Sequence, residues 1–437
     1  MGRVRIATVL VAAGVLLAAV SVGGCGSDDT ALDVPVPEGV QLIGADVERD
    51  TDPQPTAEEL DAIVRAQNQL GIDLYRSLTA GSSANLVLSP WSIATDLAMV
   101  YAGAGGATAE EMRAVLHLDL PAERVPVAFN RLNLDLASRQ REHLQLAAAN
   151  KLWSADGLPL RPAFVDTMSR SYGAPVAAAD FDSDDARKAI NDWVSGSTNG
   201  RIAELFPAGS LDASTALVLV NAVYLDAQWF FPLNADLTGD EPFTTIDGGQ
   251  VTVPMMHFNE YLPTAFSGSS GVSCPGAGCW QAVELPYTGD ELSMVVIVPD
   301  DLAAFEASLD ATVLAGVFAG LKDGGIHLSL PRFSFGSHAS LVDPLKALGM
   351  PSAFGAGADF SGMTDGGGLF IDAVEHGAFI EVDEEGTEAA AATGSAMASS
   401  HGPTVPVTKP FLFAIRDRQT DAVLFLGRVG DPSQTDR

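Results

Sequence analysis

The residues most open to chemistry in this 437-residue chain are ones on which chemistry would be performed by another protein. The run Glu384-Glu385-Gly386-Thr387-Glu388-Ala389-Ala390-Ala391-Ala392 continues through Met397 to Ser399, Ser400 and His401, with no lysine or arginine before Lys409. Gly386, Gly394 and Gly402 loosen its backbone. An exposed loop of small residues is a preferred site of proteolytic cutting. Two local structures compete for it. The alanines behind Thr387 and Glu388 favour a short helix. At period two, Thr387, Ala389, Ala391, Thr393, Ser395 and Met397 instead share one uncharged face of a strand, and all but Met397 are small. Such a face can enter a sheet without burying an unpaired charge.

Motifs for catalysis performed by the chain itself are missing. There is no Gly-x-Ser-x-Gly elbow, no Ser-x-x-Lys, no His-Glu-x-x-His and no glycine-rich phosphate loop. The seven histidines are scattered without metal-ligand spacing, so no metal or cofactor is expected, and an exported hydrolase survives only as an alternative. Four polar residues, Ser89, Ser92, Asn221 and His376, interrupt otherwise apolar strand-like runs. Buried polar groups need partners. Taken singly, each reads as an ordinary satisfied residue; Ser89 and Ser92 flank a helix start, where hydroxyls cap free N–H groups.

The chain opens with Arg3 and Arg5, an apolar run from Ile6 to Val22, and Val22-Gly23-Gly24-Cys25. A run this short suits a signal peptide at residues 1–24. The small residues before Cys25 resemble a bacterial lipobox, whose cysteine is lipidated. The other reading is an uncleaved anchor, though no basic cluster follows the run. Export would then leave the protein lipid-anchored on the outer side of a bacterial membrane, at the cell surface or in the periplasm. Residues 25–57 have the composition of a flexible tether. With Cys25 lipidated, Cys274 and Cys279 remain as a disulfide candidate closing a small loop. A zinc site there lacks a nearby histidine.

Residues 58–437 show no second linker and no repeat, which indicates one large domain with a substantial core, 47% of the chain being hydrophobic. The net charge of −32 and pI near 4.3 exclude nucleic acid and disfavour other anionic partners. Apolar spacing predicts a helix over Ala57–Leu78 and another after Ser89-Pro90. It also predicts strands over 143–153, 216–224, 251–256, 282–287, 294–299, 327–335 and 373–381, and a helix from Leu341 ending at Gly349.

The segment Val382 to Thr393 resembles the hinge of inhibitory serpins, and Lys409-Pro410-Phe411 through Val429 is similar to that family's C-terminal signature. The resemblance extends over roughly residues 58–434. It implies an α+β fold with large mixed and antiparallel sheets, surrounding helices and an exposed reactive-centre loop at about 384–408. It also implies a monomer that inhibits a serine or cysteine protease irreversibly, the cut loop entering the central sheet. Hinge residues would be Glu384 to Ala392. The scissile bond falls at Ser399–Ser400 or Ser400–His401 by two counts, with Met397–Ala398 a third choice. Small residues there suit an elastase-like or subtilisin-like protease. Ser89, Ser92, Asn221 and His376 would gather where the strands part, with Trp229 packed where the loop first inserts; the helix over 159–172 would lie across the sheet. Around Trp229 the pattern departs from the family, with Ala227-Gln228 before it and Phe230-Phe231-Pro232 after it. A non-inhibitory serpin acting as a surface binding protein is the alternative within the family.

Overall fold

The computed structural model describes Pro37 and residues 40–266, 279–387 and 404–435. The signal segment, Cys25, Cys274, Glu388, Ala389, Ala390, Ala391, Ala392, Met397, Ser399, Ser400 and His401 lie outside these residues.

The described strands form two sheets, and the fold is α+β. The first contains β1 (Gln41–Ile43), β3 (Leu144–Ala155), β4 (Val176–Ala179), β5 (Leu217–Gln228), β11 (Phe333–Ser340), β12 (Ala373–Val382) and β13 (Gly386–Thr387), in the order β1-β4-β3-β5-β13-β12-β11. The second contains β2 (Leu86–Leu88), β6 (Gly239–Thr244), β7 (Gln250–Phe266), β8 (Trp280–Pro286), β9 (Leu292–Pro299), β10 (Lys322–Pro331), β14 (Thr404–Pro406), β15 (Phe411–Asp417) and β16 (Val423–Val429). The helices are α1 (Ala57–Thr79), α2 (Pro90–Tyr101), α3 (Gly106–Val115), α4 (Val125–Ala137), α5 (Pro162–Tyr172), α6 (Asp184–Ser197), α7 (Leu302–Ser308), α8 (Ala311–Gly320) and α9 (Val342–Leu348).

Strand alternation divides the apolar residues between two cores. Leu217, Leu219, Val223 and Leu225 of β5 face the main core, together with Leu144, Leu146 and Leu152 of β3 and Val374 and Ala378 of β12. Val218, Val220 and Ala222 face a smaller core closed by Ile190, Trp193 and Val194 of α6. Trp153 and Trp193 meet edge-on there at 6.1 Å. The helix across the outer face of the sheet is therefore α6. The expectation for residues 159–172 is corrected: α5 turns Phe164, Met168 and Tyr172 into the main core, where Tyr172 meets Phe129 of α4. Both helices are amphipathic, and periodicity does not say which face of a sheet a stripe will cover.

Two further expectations change. Residues 327–335 are not one strand, because the chain leaves the second sheet at Pro331 and joins the first at Phe333. Arg332 forms the corner, its N–H donating to the Pro254 carbonyl at 2.9 Å. The expected tether 25–57 is also shorter than its composition suggested. Gln41, Leu42 and Ile43 pair antiparallel with Ala178, Ala177 and Val176, and add an edge strand. Asp50 N–H then donates to Arg170 O at 2.9 Å, and Asn130 Nδ2 donates to Asp50 O at 2.7 Å. Thr56 and Glu59 close a capping box on α1. These segments carry too few apolar residues to announce themselves; the sheet edge supplies their backbone partners.

Replacing Trp193 with alanine removes the largest side chain joining α6 to the sheet. The urea midpoint of the intact protein should fall by the equivalent of about 3 kcal/mol.

Candidate functional site

The bait already occupies the sheet at Gly386 and Thr387. Gly386 and Thr387 pair antiparallel with Gln228 and Ala227 of β5, and Thr387 pairs antiparallel with Val382 of β12. Below this wedge β5 and β12 meet directly as parallel neighbours, Ala373–Ala378 against Val218–Val223. Gly386 is dictated by close approach, since a Cβ there would lie 2.1 Å from the Ala227 carbonyl oxygen. At the far end of the bait, Thr404–Pro406 is held in the second sheet, parallel to His327–Ser329.

Several side chains fix the wedge. Trp229, 2% exposed, stacks on Tyr287 at 4.7 Å and donates from Nε1 to the Asp383 carbonyl at 2.9 Å. Its backbone N–H donates to Glu385 O at 2.8 Å, and Leu233 N–H donates to Glu384 O at 2.9 Å. Asp383 Oδ1 accepts the N–H groups of Glu385 at 2.8 Å and Gly386 at 3.2 Å, while burial raises its pKa. The Glu384 carboxylate is buried against Arg332 Nε at 2.8 Å and the Thr238 hydroxyl. Tyr287 Oη and Thr387 Oγ1 share a hydrogen bond of 2.7 Å. The departure around Trp229 leaves that ring buried but sets Phe230 and Phe231 at the surface, edge to face at 4.8 Å.

Beneath the closed part of the sheet the structure brings Ser89, Ser92, Asn221 and His376 together. Asn221 and His376 occupy paired positions on β5 and β12 and turn toward α2, all twelve residues of which are buried. The Ser89 N–H donates to His376 Nε2 at 3.1 Å, so the ring proton resides on Nδ1 and is donated to Asn221 Oδ1. Asn221 Nδ2 donates to Ser92 Oγ and, at 2.9 Å, to Asn150 Oδ1. Ser89 Oγ caps α2 by accepting from Ser92 N–H at 3.2 Å. Burial, with a smaller contribution from His338, holds the His376 pKa down to about 3.

Sequence reasoning missed Asn150, Asp96, Tyr287 and Arg332. Asn150 carried a usable signal, being a polar residue on the main-core face of an apolar strand, as Asn221 is. Tyr287 and Arg332 gave none, because their roles depend on which strand end reaches the hinge. Cys279 is buried and disulfide-bonded, its proposed partner Cys274 lying outside the described residues.

Arranged this way, the hinge can feed a strand into the sheet. A continuation of β13 would run antiparallel to both β5 and β12 and replace one parallel ladder with two antiparallel ones, the slightly more stable pairing per residue.

The family described as Serpin (serine protease inhibitor) matches residues 65–432. Leukocyte elastase inhibitor of Xenopus laevis is 36% identical over 373 residues, covering 82% of this chain and 97% of its own length. An uncharacterised serpin-like protein of Thermococcus kodakarensis is 36% identical over 380 residues, covering 85% of this chain and 86% of its own. Among solved structures, the thermophilic serpin tengpin in its native state has a TM-score of 0.80 at 26% identity, covering 90% of this chain and 99% of its own. Human thyroxine-binding globulin complexed with thyroxine has a TM-score of 0.76 at 27% identity, covering 86% and 100%.

Because His376 is neutral in the folded state, its stabilising contribution is complete above pH 6.5 and is lost as pH falls from 6.5 toward 3. The loss should reach on the order of 4 kcal/mol. Urea midpoints measured across this range should show a steep acid limb that His376→Gln flattens. In the hinge, Tyr287→Phe deletes the hydroxyl bonded to Thr387 and should cost about 1 kcal/mol of the intact protein's stability, also read from the urea midpoint.

Proposed function

The chain belongs to the serpin family, and from that membership we propose that it is a suicide inhibitor whose bait, once cut, enters the seven-stranded sheet between β5 and β12. The family is described as serine protease inhibitors, not enzymes, and relatives named leukocyte elastase inhibitor support a protease as the partner. The observation carrying the insertion scheme is the position of Thr387, paired with β12 on one side and packed into β5 register on the other. Cleavage would free the segment behind it to continue downward. Ladder hydrogen bonds worth about 1 kcal/mol each over roughly ten residues supply ten kcal/mol or so, besides burial of the alanine face. Cutting at Ser399–Ser400, with Ser400–His401 and Met397–Ala398 as neighbouring choices, leaves a long enough segment to insert while the acyl-enzyme is still attached.

Small residues around that bond favour an elastase-like or subtilisin-like serine protease as target. The inhibitor is inferred to act as a monomer, exported and held by a lipid on Cys25 at the outer side of a bacterial membrane. A second reading, a non-inhibitory surface binding protein, draws on the likeness to thyroxine-binding globulin. The hinge argues against it: Thr387 and the four alanines are uncharged and small, as an inserting face requires.

Mixing the purified protein with a small-residue-preferring serine protease should give a covalent high-mass band on denaturing gels. A cut loop without that band would mark substrate behaviour, and no reaction would favour the binding role. Thr387→Arg places an unpaired charge in the inserting face and should lower the trapped fraction about tenfold in favour of simple cleavage. Undiminished trapping by that variant would sink the insertion scheme.

A further inference from the structure

Beneath the sheet lies an acid that the insertion scheme leaves unused. Asp96 stands on α2 one turn after Ser92, is 1% exposed, and has both carboxyl oxygens enclosed without a hydrogen-bond partner. Its neighbours account for this. The Asn221 amide nitrogen is held toward Ser92 and Asn150, which lie on the same side of it, and its carbonyl oxygen is taken by His376. The Asn221 amide hydrogen-bonds weakly toward the carboxyl and lowers the acid's pKa in part, without reaching ordinary hydrogen-bond geometry. Burial outweighs that effect and holds the carboxyl well above the usual carboxylate range. An enclosed polar group without a partner destabilises the state that encloses it.

That state is the closed sheet. Asn221 and His376 face each other in register across the β5–β12 junction. A strand admitted between them separates them by a further spacing of about 4.8 Å, which breaks their hydrogen bond. The break frees an acceptor, Asn221 Oδ1, and a donor, His376 Nδ1–H, on the face turned toward α2. A protonated Asp96 can donate to the first, and an ionised one can accept from the second. We propose that Asp96 is a positioning residue for loop insertion: it destabilises the closed sheet and gains a hydrogen-bond partner when the sheet opens. The proposal rests on the insertion reading above and adds to it a specific residue that biases the sheet toward opening.

The test melts intact and bait-cleaved forms of the wild type, Asp96→Ala and Asp96→Ser in one buffer. The serine hydroxyl can bond back to the Ser92 carbonyl, so this variant stands in should alanine leave a harmful void. Both variants should raise the Tm of the intact form by about 3 °C and leave that of the cleaved form unchanged or lower. The interval between the two forms then narrows, and covalent trapping of the protease slows. Equal shifts in both forms, or an intact Tm at or below that of the wild type in both variants, would overturn the proposal while leaving insertion intact. Wild-type protein that melts no higher after cleavage than before would end both readings.

Discussion

The parallel contact between Val218–Val223 of β5 and Ala373–Ala378 of β12 is the constraint on which the rest of the molecule turns. It closes the first sheet over α2, and it stops where Gly386 and Thr387 begin. Above that point the strands diverge by the width of one more strand, and the bait fills the gap with Gly386 and Thr387. A parallel pair separated by the width of an antiparallel strand accepts that strand without reversing direction.

What surrounds the contact is polar at both ends, in different ways. At the hinge the groups are charged and paired: Glu384 with Arg332, and Asp383 with the N–H groups of its own turn. These bonds hold the first residues of the bait while Trp229 and Tyr287 wall them in. In the floor the groups are buried and neutral. The His376 ring is kept uncharged by burial and oriented by the Ser89 N–H, and Asn221 and Asn150 complete the network. A charged group on the inserting face would have to cross this floor, so the small uncharged residues after Glu388 match the surroundings they would enter.

The edges of the first sheet are treated differently from its centre. β1 covers one edge with only three residues, yet α1, α4 and α5 all contact the segment that follows it. Trp193 and its neighbours on α6 cover β3, β4 and β5 from outside. Insertion between β5 and β12, as proposed, would move a block that includes α6 and the N-terminal segment.

Much of this was legible in the chain before any fold was known. The hinge and C-terminal motifs identified the family, apolar runs placed most strands and the principal helices, and the polar interruptions at Ser89, Ser92, Asn221 and His376 marked residues that needed one another. The same rule, applied to 143–153, would have found Asn150. Other features required tertiary structure. The exchange of α5 for α6, the division of 327–335 at Arg332 and the pairing of β1 turn on which surfaces face one another, and a periodic pattern carries no information about its partner. The poor pairing of Asp96 lies still further from the sequence, because it depends on how the neighbouring amide is held by closer groups. Residue type and spacing determine which side chains must be buried and satisfied; the order of the strands in space decides which of them are.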